Sequence, residues 1–435
     1  MSADPHGRAI AIHGHQRVRY SLVAICLIAA LGLVGCGNSF GSLLNRRATP
    51  AAPVDVSPKV AAQLRDFDFA VQSLRESYLQ ADAFNENWRA AVETARARII
   101  YGDGEDQLLV DSLQSILEGL NDEEVLLLPP ATSQAMSTPA PAYAGIGVLV
   151  DLPQEGKDRL LILSVYPDSP ADRAGLKPHD AILAIEGERV TYALRNELIL
   201  KLRGQAGSRV TITVRTPGQA PRDVTLTRQP IVPRGSMIYK RVLGTNIAYV
   251  APDASQPSTM RTDMANALRD LTAERDLSGL VLDLRIIRGD DFPLEGMLSL
   301  FVNGQVGIVK TRDKKNVIEV SGKSIGGSQE LPMVVLVSEM TSGQAEAFAG
   351  LLQDLGRAQI VGNRTRGRLS AFTTATLPAS RLRLQIPSGD YQSVKGTSWR
   401  GKGIVPDVLS EVAWEDFTAE NDVHLKQAVE LLTSP

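Results

Sequence analysis

LPMVVLVSEMTSGQAEAFAGLLQDLGRAQIVGNRTRGRLSAF, residues 331–372, decides the fold of this 435-residue chain. Met333 to Val337 is a short β-branched run, the pattern of a buried strand. Helical spacing follows, with Ala345, Phe348, Ala349, Leu351 and Leu352 apolar. The period changes from 2 to 3.6 across Ser338 to Ser342, and a second strand and a glycine-bearing loop complete the stretch. A turn between a strand's carboxyl end and a helix N-terminus presents backbone N–H groups and the positive end of the helix dipole, so it suits a nucleophile or an oxyanion. Thr341 and Ser342 are also of the type that caps helices, with Glu346 in the first turn, so a structural role for Ser342 stands beside a chemical one.

On the N-terminal side, strands and helices alternate over residues 247–250, 260–271, 279–284, 294–302 and 307–311, which predicts an α/β core with a largely parallel sheet. Further upstream, residues 143–232 are β-rich. Gly145-Ile146-Gly147-Val148 enters a strand, Leu160 to Val165 forms another, a helix is expected around Ala193 to Leu202, and Val210 to Val214 and Val224 to Leu226 alternate as strands. Residues 60–128 read as helical: Phe67, Val71, Leu74 and Tyr78 share a face, as do Trp88, Val92 and Ala95, and Leu113, Ile116, Leu117 and Leu120. Glu123 and Glu124, which end that segment, are read as solvated carboxylates, and His179 as part of a surface loop.

The opening is of targeting type. Arg17 and Arg19 precede an apolar run, Leu22 to Val34, too short for a membrane span. It ends Leu33-Val34-Gly35-Cys36, which resembles a bacterial lipobox and predicts lipid attachment at Cys36, with Gly37 fitting outer-membrane sorting. Cys26 would leave with the leader, so no pair remains for a disulfide. A net charge of −3 with 22% charged residues suggests no nucleic-acid partner. No metal cluster, phosphate loop or nucleotide motif appears, so no cofactor is expected.

These stretches resemble the carboxyl-terminal processing (tail-specific) serine proteases. That family's turn reads roughly N-E-G-S-A-S-A-S-E, its middle Ser is the nucleophile, and a Lys in a T-F-G-K-G-x-x-Q loop is the base. Aligned on Glu346 and on residues 362–367, the serine position falls on Gly343 and the lysine position on Arg368, 25 residues on (368 − 343 = 25). The family's Gln falls on Phe372. Glycine offers no nucleophile, and a guanidinium with pKa above about 12 cannot act as a general base. Leu282-Asp283-Leu284-Arg285 matches the family's L-D-L-R, but the N-x-P-G-G that follows is Ile286-Ile287-Arg288-Gly289-Asp290. In the family a backbone N–H of that loop binds the oxyanion; Gly289 and Asp290 hold its positions, and the Asp290 carboxylate would oppose negative charge there. Ile386-Pro387-Ser388-Gly389, Gly403-Ile404-Val405-Pro406-Asp407 and a closing helix from Asp422 to Leu432 match scaffold segments.

Residues 143–232 resemble a PDZ domain of the bacterial protease type. The resemblance implies that a peptide's C-terminal carboxylate rests on the backbone N–H groups around Gly145, Ile146, Gly147 and Val148, while its last residues add a strand beside Ile146 to Val150. The expected architecture is multidomain α/β: leader 1–35, tether 36–58, helical N-terminal domain 59–132, PDZ domain 143–232 and a protease-like α/β core 233–435. The expected function is a lipid-anchored, periplasm-facing envelope protein, catalytically silent, that binds protein C-termini. One alternative is an active serine endopeptidase cleaving near C-termini, using Ser342 with a base such as His179 or His424 brought to it by the fold. Another is a scaffold for an active relative or a cell-wall enzyme.

Overall fold

The computed structural model describes residues 56–434 except 129, 131–142, 152–156, 193, 232–238, 244, 253–256, 275 and 290. Cys36, the leader, most of the tether and Asp290 lie outside the described residues.

The helical segment comprises α1 (Pro58–Ser77), α2 (Glu86–Ile100) and α3 (Asp106–Glu118), and then runs into a strand, β1 (Leu126–Leu128). Ser57 caps α1 through the Val60 amide and Asn85 caps α2 through the Trp88 amide, each oxygen satisfying a donor the helix leaves free. The PDZ segment follows with β2 (Tyr143–Gly145), β3 (Val148–Asp151), β4 (Leu160–Val165), α4 (Pro170–Arg173), β5 (Ala181–Ile185), β6 (Glu188–Arg189), α5 (Arg195–Leu202), β7 (Arg209–Arg215), β8 (Arg222–Thr227) and β9 (Gln229–Ile231). The core opens with β10 (Tyr239–Leu243), β11 (Ile247–Ala251), α6 (Pro257–Glu274), β12 (Gly279–Asp283), α7 (Leu294–Phe301), β13 (Gly304–Thr311) and β14 (Lys315–Val320). It closes with β15 (Met333–Val337), α8 (Gln344–Asp354), β16 (Gln359–Gly362), β17 (Ser370–Thr376), β18 (Arg383–Gln392), β19 (Val408–Leu409) and α9 (Val423–Thr433).

The central sheet has the order β10-β11-β12-β15-β16-β19, parallel except at β10. All five residues of β15 are buried because helices cover both faces of the sheet. Met333, Val335 and Val337 face the cluster built with α6, α7 and α8, and Val334 and Leu336 face Leu425 and Ala428 of α9. A second, antiparallel sheet, β1-β18-β13-β14 with β17 on β18, is not legible in the sequence pattern. The helical segment packs on it: Phe67, Leu74, Trp88 and Ile116 share a cluster with Leu384 and Ile386 of β18, and β1 pairs with β18 from Leu126↔Gln385 to Leu128↔Arg383.

The PDZ sheet runs β3-β4-β5-β7-β8, with β6 on β5, and β3 at its edge. Its face meets the core directly, Leu161, Leu163 and Ala181 packing with Met340, Trp414 and Phe417. His179 belongs to this contact and corrects the surface-loop expectation. It is 3% exposed, stacks on Trp414 at 3.9 Å, and its Nδ1 lies 2.8 Å from the Trp414 carbonyl. Burial, first of all, pushes its pKa down to about 4, so the ring is neutral across the physiological range.

Candidate active site

The turn between β15 and α8 is fixed by short-range polar bonds. Ser338 Oγ donates to the Arg285 carbonyl at 2.6 Å, Thr341 Oγ1 donates to the Leu284 carbonyl at 2.9 Å, and the Ser342 amide donates to the Ile287 carbonyl at 3.2 Å. The L-D-L-R strand end and the candidate turn are thus laced together. Beneath them Arg285, 2% exposed, bonds both Asp283 and Asp422. Burial disfavours the charge on Asp283, yet the Arg285 cation beside it holds the carboxyl below its usual range.

Gly343, not Thr341 or Ser342, is the N-cap of α8, and no side chain caps the helix. This corrects the capping expectation: Thr341 is committed to Leu284 and Ser338, and the Ser342 hydroxyl makes no hydrogen bond among the described residues. Gly343 has φ 66° and ψ −141°, a left-handed conformation that costs any other residue roughly 1–3 kcal/mol. Its amide, the donor that would face an oxyanion at such a turn, is taken by the Arg368 carbonyl at 2.5 Å. The Arg368 side chain points outward, exposed, and pairs with Glu123. Phe372 is half-buried on β17, opposite Pro387. Gly289 is exposed at φ 91° in the loop after β12.

Neither His179 nor His424 bonds Ser342. His179 is held at Trp414, and His424 Nε2 lies 3.0 Å from the Ser410 carbonyl.

Two carboxylates stand behind the turn, and sequence patterning underrated both. Glu124 is not solvated: its side chain is 10% exposed, accepts from Ser370 Oγ at 2.7 Å and from Arg400 Nε at 3.1 Å, while Arg400 also binds Asp122 at 2.6 Å. Glu346 is fully buried in the first turn of α8, accepting from Thr365 Oγ1 and, at 2.7 Å, from the Gly367 amide. It therefore ties the helix to the Arg368 loop. Burial drives its pKa up to about 7, against those hydrogen bonds. A carboxyl raised from 4.5 to about 7 stabilises the fold fully below pH 4.5 and loses that contribution as pH rises through 7. The Glu346 contribution alone should fall by up to about 3 kcal/mol between pH 4.5 and 8. Urea titrations across that range should show the wild type losing that much relative to Glu346→Gln, the opposite trend from His179 below pH 6.5 being common to both; parallel profiles would refute it.

Among the described residues no group of three or more His, Cys, Asp or Glu could hold a metal ion, and no helix is long and apolar enough to cross a membrane.

A strand-turn-helix junction on a parallel sheet, joined to a β-rich module with an open edge, defines a fold class that hosts many activities. Residues 246–410 match the peptidase family S41 and residues 161–216 a PDZ domain, so the chain carries an S41 core with a PDZ domain and is a relative of the carboxyl-terminal processing proteases. It is 26% identical over 388 residues to the carboxyl-terminal-processing protease of Synechocystis, covering 87% of this chain and 89% of that one. With carboxy-terminal processing protease CtpB of Bacillus subtilis it shares 25% identity over 75% of this chain and 67% of that one. The solved photosystem II D1 C-terminal processing protease has the same fold, with a TM-score of 0.60 at 23% identity over 80% of this chain and 93% of that one.

Proposed function

We propose that this chain captures protein C-termini in its PDZ groove without hydrolysing them, tethered by lipid at Cys36 to the periplasmic side of a bacterial envelope, in the outer membrane. The observation that carries the reading is Gly343: a residue with no side-chain nucleophile stands at the N-cap of α8, with its amide spent on the Arg368 carbonyl. Arg368 supplies a permanent cation turned toward Glu123 where the family's base would stand. The groove supports the binding half of the reading. The amides of Ile146 and Gly147 donate to no carbonyl among the described residues, so they are free to hold a carboxylate. Ile146, Val148 and Val150 share an apolar cluster with Leu198 and Leu202 of α5, beside the β3 edge.

The test uses the full chain in detergent. A serine-directed fluorophosphonate should leave it unlabelled, an unfolded substrate with an apolar C-terminus should remain intact, and Cys36→Ala should move the protein from the membrane to the soluble fraction. Labelling and cleavage that vanish together in Ser342→Ala would replace this reading with the active peptidase.

A further inference from the structure

The loop that follows β12 does more than border the candidate turn: it reaches across to the PDZ edge. Arg288 Nη1 donates to Asp151 Oδ1 at 2.6 Å and Nη2 to the Val150 carbonyl at 3.4 Å. Which way Val150 faces follows from its neighbour. Val150 lies opposite Ile162 in the β3–β4 pair, and the Ile162 amide and carbonyl are both engaged on the other side, with Asp180 at 2.8 Å and the His179 amide at 2.9 Å. Opposed residues of an antiparallel pair bond each other on both groups or on neither, so Val150 turns its N–H and C=O outward from β4. The same reasoning applies to Val148. The Gly147 carbonyl accepts from the Tyr166 amide, so the next pair, Val148↔Val165, faces away. Val148 and Val150 are therefore the two backbone stations available to an added strand.

A tail whose carboxylate rests on the Ile146 and Gly147 amides pairs its last residue with Val148 and its third-from-last with Val150. The Val150 station is already held by Arg288. We propose that Arg288 is a specificity-determining residue of the tail groove, excluding tails that leave its guanidinium without an acceptor and favouring those with a carboxylate at the third residue from their end. The exchange is a matter of satisfied donors. The tail's amide replaces the guanidinium on Val150, and the displaced Nη2 needs a new partner, which an acidic side chain supplies and an amide or ammonium side chain does not. Among the described residues Asp151 is the one carboxylate that Arg288 contacts directly, through Nη1, so Nη2 is the donor left for a second acceptor once Val150 is taken. Arg288 is 37% exposed at its side chain, so solvent screening keeps the preference modest.

The inference rests on the reading that the groove captures tails, and the experiment separates the two. Full-length protein in detergent is titrated, by fluorescence polarisation, with labelled peptides ending in the same apolar residue and a free carboxylate, carrying Glu, Gln or Lys third from the end, beside an amidated control. The Glu peptide should bind the wild type about threefold tighter than the Gln peptide. In Arg288→Ala the Gln peptide should gain affinity and the difference should vanish; Arg288→Met repeats the measurement with the aliphatic stem retained. Carboxylate-dependent binding with an unchanged Glu-to-Gln ratio in both variants would overturn the role of Arg288 and leave tail capture standing. Equal binding of amidated and free peptides, or no binding to any of the proteins, would overturn tail capture itself.

Discussion

Arg285→Ala should destabilise the protein by about 3–5 kcal/mol, the largest loss expected from a single side chain near the candidate site. The guanidinium reaches Asp283 at 2.6 Å and Asp422 at 2.6 Å, and both carboxylates are buried, at 7% and 6% exposure. Removing the cation leaves two desolvated negative charges facing each other, with the Tyr249 hydroxyl at 2.7 Å and the residue 285 backbone amide at 3.0 Å still bonded to Asp283. The Trp414 and Phe417 rings, which lie under the guanidinium at 5.5 and 5.7 Å, also lose their cation. Those rings receive His179, so the damage extends to the PDZ contact. Urea unfolding of the variant and wild type at neutral pH measures the difference, and a loss under about 1 kcal/mol would contradict the account.

Gly147→Ala should lower affinity for a C-terminal peptide about a hundredfold, the equivalent of one or two lost charge-assisted hydrogen bonds. Gly147 has φ 83°, and a Cβ there would sit 2.2 Å from Ser169 Cβ and 2.7 Å from its Oγ. Ser169 cannot retreat freely, because its hydroxyl accepts from the Asp172 amide at 3.1 Å to cap α4. The backbone around Gly147 must therefore move, and with it the two amides on which a carboxylate would rest. Polarisation titration against one free-carboxylate peptide checks this; affinity within about twofold of wild type would show that the carboxylate binds elsewhere.

Much of the architecture is written locally. Met333 to Val337 and the spacing of Ala345, Phe348 and Leu352 announce strand and helix because each is buried by repeating contacts along its own length. The second sheet escaped detection because β17 is half-exposed and the strands that pair, such as β1 and β18, lie far apart in sequence. The site divides the same way. The resemblance sets Gly343 and Arg368 against a nucleophile and a base, but that the Arg368 carbonyl, not its side chain, engages Gly343 is a matter of backbone path. His179 carries no signal of burial in its own neighbourhood; Trp414, 235 residues on, covers it. Glu124 is likewise drawn in by Arg400 and Ser370. Nothing near Arg288 in sequence marks Val150 as its partner.

The small strand β1 has a consequence for how the protein is made. Leu126 pairs with Gln385, 259 positions later (385 − 126 = 259), so the first helices to leave the ribosome cannot complete their packing until the last quarter of the chain has been synthesised. Until then Leu74, Trp88 and Ile116 present an apolar face with no cover, a surface that chaperones would be expected to hold during synthesis.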